Sequence, residues 1–108
     1  MVEGAIELNN TLTRFYESIR KVYPIRKMLL YGSYAKGTTH KDSDIDVAVI
    51  VDRIAGKTRI DITENLFSLA RIINYNIEPK CIFWDEFMNP EPASILAEII
   101  KTSKEIVA

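Results

Sequence analysis

Met28-Leu29-Leu30-Tyr31-Gly32-Ser33 and, after a polar stretch, Ser43-Asp44-Ile45-Asp46-Val47-Ala48-Val49-Ile50-Val51 carry the reading of this chain. The first run is too short for a helix and is closed by a glycine, so it reads as a buried strand. The second, from Ile45 to Val51, is β-branched and apolar on both faces apart from Asp46, the pattern of a strand covered on both sides. Between them, residues 32–43 are rich in Gly, Ser, Thr, Lys and Asp and read as a turn or loop.

Outward from this pair, helical spacing takes over. Leu8, Leu12, Phe15, Ile19 and Val22 recur at steps of four and three, the stripe of an amphipathic helix that Pro24 brings to an end. Downstream, Thr58 is placed to cap a helix whose buried face carries Ile62, Leu66, Leu69 and Ile73. A third strand is expected from about Ile77 to Trp84. Asn89-Pro90 then reads as cap and first residue of a last helix with Ile95, Leu96, Ile99 and Ile100 on its apolar side. The tail Glu105-Ile106-Val107 suits a short edge strand. Helices alternating with strands in this order predict an α/β domain, a small mixed β-sheet packed by helices.

Composition bounds the possibilities. The 108 residues are 47% hydrophobic and 27% charged, an ordinary balance for a soluble fold, and are expected to form one domain over residues 1–108. With 14 basic and 15 acidic residues the net charge is -1, which argues against a broad nucleic-acid face but not against a small basic cluster for a triphosphate. Cys81 is the only cysteine, so neither an internal disulfide nor a zinc site built on cysteines is available. No apolar run suits a membrane span and the N-terminus lacks a signal-peptide pattern, so a cytoplasmic location is expected, without membrane contact.

The chemistry concentrates in Asp44 and Asp46. One residue apart at a strand, they project from the same face. Two adjacent carboxylates on a sheet of Ile, Val and Ala repel one another, and desolvation adds to the cost. Aspartates also begin turns, and Asp-x-Asp alone is open to that plainer reading. A divalent cation resolves the repulsion, and oxygen ligands of this kind suit Mg²⁺ or Mn²⁺, with water and phosphates completing the shell. Gly32 lets the backbone approach a phosphate, and the Ser33 hydroxyl and nearby amides can donate to it. Gly37 adds a flexible point, and Lys36, His40 and Lys41 add positive charge between the two features.

The run Gly32-Ser33-Tyr34-Ala35-Lys36-Gly37, followed by Ser43-Asp44-Ile45-Asp46-Val47, resembles the signature of the DNA polymerase β-like nucleotidyltransferase superfamily, and within it the small minimal nucleotidyltransferase (MNT) group. Gly-Ser, ten residues, Asp-x-Asp and two flanking apolar strands coincide, and the likeness covers nearly the whole chain. The resemblance implies a polymerase β palm-like fold and Mg²⁺-dependent transfer of a nucleoside monophosphate, AMP from ATP, to a hydroxyl. It implies that the Gly32-Ser33 turn holds the outer phosphates, with Lys36 and Lys41 beside them, and that Asp44 and Asp46 bind metal. Many relatives have Arg where Lys36 stands, so bidentate phosphate recognition is lost here. The family also uses a third carboxylate on a neighbouring strand, for which Glu78 is the best candidate; beside Pro79 it also suits a solvated strand edge. Trp84, Phe83 and Phe87 read as core or interface packing rather than base stacking.

Three functions follow for weighing. The first is an adenylyltransferase acting on a protein or small molecule. The second is a contact-neutralising binding module with a weakly catalytic or vestigial site. The third, antibiotic modification, is disfavoured for want of a second domain. By analogy with the MNT group, the expected partner is a separate helical HEPN-type protein, in a toxin–antitoxin pair.

Overall fold

The computed structural model describes residues 2–32 and 44–106, with side chains from residue 7 onward. The elements are α1 (Val2–Arg20), β1 (Ile25–Tyr31), β2 (Ile45–Val51), α2 (Arg59–Ile73), β3 (Ile77–Phe83), a short α3 (Trp84–Met88), α4 (Ile95–Thr102) and β4 (Lys104–Glu105). The sheet order is β3-β2-β1-β4. β1 runs antiparallel to both β2 and β4, whereas β2 and β3 are parallel, so the sheet is mixed as expected. No helix among the described residues is long and apolar enough to cross a membrane.

Alternation along β2 divides two cores. Val47, Val49 and Val51 face α1 and α2, where Leu12, Phe15, Ile19, Ile62, Leu66 and Ala70 close a fully buried layer. Ala48 and Ile50 face the other way and meet Leu29, Ile82 and, from α4, Ile99. A strand clothed on both faces needs apolar residues throughout, which is why β2 reads as an unbroken apolar run. Only Asp46 departs from it, and it is half-buried.

Local chemistry sets the helix ends. Thr58 caps α2 in a reciprocal pair: its hydroxyl accepts from the Asp61 N–H at 3.2 Å, and the Asp61 carboxylate accepts from the Thr58 N–H at 2.9 Å. Those bonds hold the Asp61 carboxyl below its usual range.

Four expectations need correction. Val22 lies beyond α1 and is 55% exposed, because the chain turns at Ile19, whose carbonyl accepts from both Val22 and Tyr23. Tyr23 is buried instead, and its hydroxyl accepts a bond from Asn65. The third strand stops at Phe83, and a short helix that the sequence reading missed begins at Trp84. Asn89-Pro90 does not open the last helix: Asn89 ends α3, and Ser94 caps α4 by accepting from Ala97 N–H at 3.0 Å. Among the described residues the tail strand is Lys104–Glu105, with the Ile106 N–H still reaching the Met28 carbonyl at 2.8 Å, and Val107 lies outside them.

Candidate functional site

Strand register assembles the site. In the antiparallel ladder Tyr31 pairs with Asp46, and in the parallel ladder Asp46 pairs with Glu78. Directly paired residues on adjacent strands project from the same face, so a phenol and two carboxylates form a row across β1, β2 and β3. All three line one cleft of about 500 Å³. Asp44 precedes β2 by one residue and is exposed, two positions before Asp46 and next to it electrostatically.

Gly32 closes the row at the β1 end. Its φ of +74° is left-handed, a region that favours glycine. A Cβ on Gly32 would lie 2.3 Å from Asp46 Oδ2, so the missing side chain is the space that the Asp46 carboxylate occupies. The glycine was expected to admit a phosphate; its visible role is to seat Asp46.

Charge bears the marks of this crowding. The Asp46 carboxyl is pushed above its ordinary value, first by burial and then by the neighbouring Asp44. The Tyr31 phenol is pushed up by burial and by the charges of Asp46 and Glu78, so it keeps its proton. Glu78 is exposed on β3, an edge strand of the sheet among the described residues, and Pro79 beside it is buried.

A divalent cation fits this donor set. Asp44 and Asp46 offer hard oxygen ligands whose mutual repulsion it would relieve, and Glu78 stands beside them. Among the described residues no three His, Cys, Asp or Glu side chains converge tightly enough to enclose a metal by themselves. Phosphate oxygens and water would therefore complete the shell, the usual habit of Mg²⁺ with nucleotides.

Of the residues expected at the site, Gly32, Asp44 and Glu78 each adjoin Asp46, but Asp44, Asp46 and Glu78 do not converge as a three-carboxylate metal cluster. Ser33, Lys36 and Lys41, with Gly37 and His40, lie outside the described residues. Tyr31 was read from the sequence only as a strand residue. Its signal was available in retrospect: the residue before the turn glycine pairs with the second carboxylate once the two strands are antiparallel. Asp85 and Glu86, at the far end of β3, belong to α3. The Arg53 guanidinium donates twice to Asp85, at 2.9 and 3.1 Å, and Arg59 pairs with Glu86. Phe83 is core, and Trp84 stacks on Phe87 at 5.6 Å between ring centroids, in line with their packing role.

Residues 14–108 match the family described as "Polymerase beta, Nucleotidyltransferase". No curated protein matches the sequence at a significant level. Among solved structures, a protein from Sulfolobus solfataricus with a provisional nucleotidyltransferase assignment is similar, at 17% identity and a TM-score of 0.68 over 96% of this chain and 83% of that one. A toxin–antitoxin structure with AMP-PNP superimposes at a TM-score of 0.57 and 20% identity, over 93% of this chain and 73% of that one. A mutant MntA–HpeT toxin–antitoxin pair, in which two aspartates separated by one residue are changed to glutamate, does so at 0.52 and 19%, with the same 93% and 73% coverage. At these identities the likeness is one of fold.

Proposed function

Since this chain belongs to the polymerase β nucleotidyltransferase family, we propose that it transfers a nucleoside monophosphate, AMP from ATP, to a hydroxyl with the help of Mg²⁺ or Mn²⁺. The observation that carries the reading is the register that sets Glu78 beside Asp46, with Asp44 two residues before it and Gly32 seating the Asp46 carboxylate.

Each residue has a part. Asp44 and Asp46 hold the cation, which when bound neutralises triphosphate charge and so eases departure of pyrophosphate. Ser33, Lys36 and Lys41, which follow Gly32 in the sequence, bind the outer phosphates. Glu78, on β3, accepts the proton of the acceptor hydroxyl as its oxygen attacks the α-phosphorus and the bond to pyrophosphate breaks. Tyr31, protonated, can donate a hydrogen bond to this row without adding negative charge. Catalysis of this kind depends on positioning and charge neutralisation, and the strands β1, β2 and β3 fix the places of Tyr31, Asp46 and Glu78.

The acceptor is proposed to be a separate helical protein of the HEPN type. Two toxin–antitoxin assemblies share this fold, one solved with an ATP analogue and one altered at an aspartate pair spaced like Asp44 and Asp46. The test is to incubate the protein with ATP, Mg²⁺ and the purified product of the neighbouring gene, then weigh that product by intact mass spectrometry. An added AMP mass that disappears with Asp44→Asn is the expected result. A tight complex with no added mass would replace catalysis by neutralisation through contact.

A further inference from the structure

From the two flanks of Asp46 we infer that the Tyr31 phenol donates a hydrogen bond to the oxygen joining the α- and β-phosphorus atoms of the triphosphate, and so steadies pyrophosphate as it leaves. This role rests on the proposed transfer reaction and assigns the residue that serves its departing group.

With the sheet ordered β3-β2-β1, Glu78 stands on one side of Asp46 and Tyr31 on the other, each directly paired with it. Gly32 lies on the Tyr31 side, where a Cβ would meet Asp46 Oδ2 at 2.3 Å. In an in-line displacement the attacking and leaving oxygens sit on opposite sides of the α-phosphorus. Glu78 takes the acceptor's proton, so the acceptor approaches from the β3 flank. The leaving oxygen is then on the β1 flank, where Tyr31 stands and from which Ser33 follows in the sequence.

Packing presents the phenol there. Its side chain lies against the second core and lines the cleft that holds Asp46 and Glu78. Phenylalanine would meet the packing alone; the hydroxyl adds a polar handle to it. A phenol is neutral at physiological pH, so it can donate among carboxylates that only accept. The other donors lining the cleft are engaged or lie elsewhere. Arg59 gives its guanidinium to the Cys81 carbonyl, at 2.8 Å, and to Glu86. Lys80 is on β3 with Glu78, the acceptor's flank, and Thr63 is on α2, which packs against the opposite face of the sheet. Ser33, Lys36 and Lys41 are assigned to the outer phosphates, which leaves the oxygen at which the bond breaks. As the acceptor oxygen bonds to the α-phosphorus, its proton passes to Glu78. The bond from phosphorus to the bridging oxygen breaks, and the electron pair stays on that oxygen, which accepts from the phenol; Tyr31 keeps its proton throughout. A hydrogen bond that strengthens as charge gathers on its acceptor favours the transition state over the bound triphosphate.

The test is a cycle of isothermal titrations with Mn²⁺ on the wild type and on Tyr31→Phe, which keeps the ring and its packing. The ligands are ATP, its α,β-methylene analogue, in which carbon replaces the leaving oxygen, and inorganic pyrophosphate, which carries the departed oxygen with its charge. We expect the wild type to bind the methylene analogue about tenfold more weakly than ATP, and Tyr31→Phe to bind the two within about twofold of each other. Pyrophosphate should bind about tenfold more weakly to Tyr31→Phe than to the wild type, while affinity for Mn²⁺ alone stays the same. An equal methylene penalty in both proteins, or pyrophosphate binding untouched by the variant, would overturn the role of Tyr31 and leave the proposed reaction standing. A fall in Mn²⁺ affinity that matches the fall in ATP affinity would overturn it too, since the hydroxyl would then serve a carboxylate. ATP binding that ignores Mn²⁺ in the wild type would instead sink the proposed reaction, and this role with it.

Discussion

Gly32→Ala separates two roles of one glycine. The backbone at φ +74° disfavours any L-side chain, by about 1–2 kcal/mol. Roughly 0.4–1 kcal/mol of that is offset because alanine restricts the unfolded chain. The new methyl would also lie 2.3 Å from Asp46 Oδ2, 3.1 Å from its Cγ and 3.3 Å from its Cβ. Turning the carboxylate clears the oxygen but not the Cγ, so the whole side chain must leave its rotamer, at about 0.5–1.5 kcal/mol. A double-mutant cycle with Asp46→Ala isolates that last part, since the backbone effects cancel between backgrounds. Urea unfolding of the four proteins should show Gly32→Ala destabilising the wild type by about 0.5–1.5 kcal/mol more than it destabilises Asp46→Ala. In the wild-type background it should also abolish metal-dependent ATP binding, because the displaced carboxylate no longer faces Asp44. Equal destabilisation in both backgrounds would refute the claim that this glycine exists to seat Asp46.

Further outcomes follow from the same geometry. Asp46→Asn should stabilise the metal-free protein by roughly 1 kcal/mol at neutral pH, by removing one member of a like-charged pair. The sign follows from the raised Asp46 pKa: the folded state holds the proton more tightly than the unfolded one, so the wild type loses stability as pH rises through that folded pKa. The gap between variant and wild type should therefore close on acidification, and a gap that widens in acid would contradict the assignment. Arg59→Ala should cost about 1–2 kcal/mol, since it strips the Cys81 carbonyl and the Glu86 carboxylate of their donor. Arg59→Lys should recover little of it, as one ammonium cannot span both acceptors; a stability unchanged in Arg59→Ala would show the bridge to be idle. Thr58→Ala should remove the α2 cap and lower stability by about 1 kcal/mol, read as a shift in the urea midpoint.

How much of this was legible in the sequence depended on the range of the interactions. β2 was legible to its ends because a strand buried on both faces must be apolar throughout, and Asp46 stood out against that background. The cap at Thr58 was legible because its partner Asp61 is three residues away. The start of the last helix was not. Asn89-Pro90 has the local chemistry of a helix start, but α3 already occupies that stretch. Its first turn is held by Glu86 accepting from the Phe83 N–H at 2.9 Å while pairing with Arg59, 27 residues away in sequence. Val22 fitted the period of α1 yet lies past its end, because a tertiary contact between Tyr23 and Asn65 turns the chain inward. For the site, Asp44, Asp46 and Gly32 were marked by spacing alone. Glu78 was named only through the family resemblance, and Tyr31 not at all, because strand register, which no local pattern encodes, is what sets both beside Asp46.

The central claim is that the carboxylates beside Gly32 hold a divalent cation against a nucleoside triphosphate. Isothermal titration of ATP into the protein, with Mn²⁺ and with a chelator in its place, measures this directly when repeated on the Asp44→Asn, Asp46→Asn double variant. The account predicts ATP binding that requires Mn²⁺ in the wild type and is lost in the variant, while the variant's urea midpoint without metal holds or rises. ATP binding that is the same with and without Mn²⁺, or unchanged in the double variant, would contradict it.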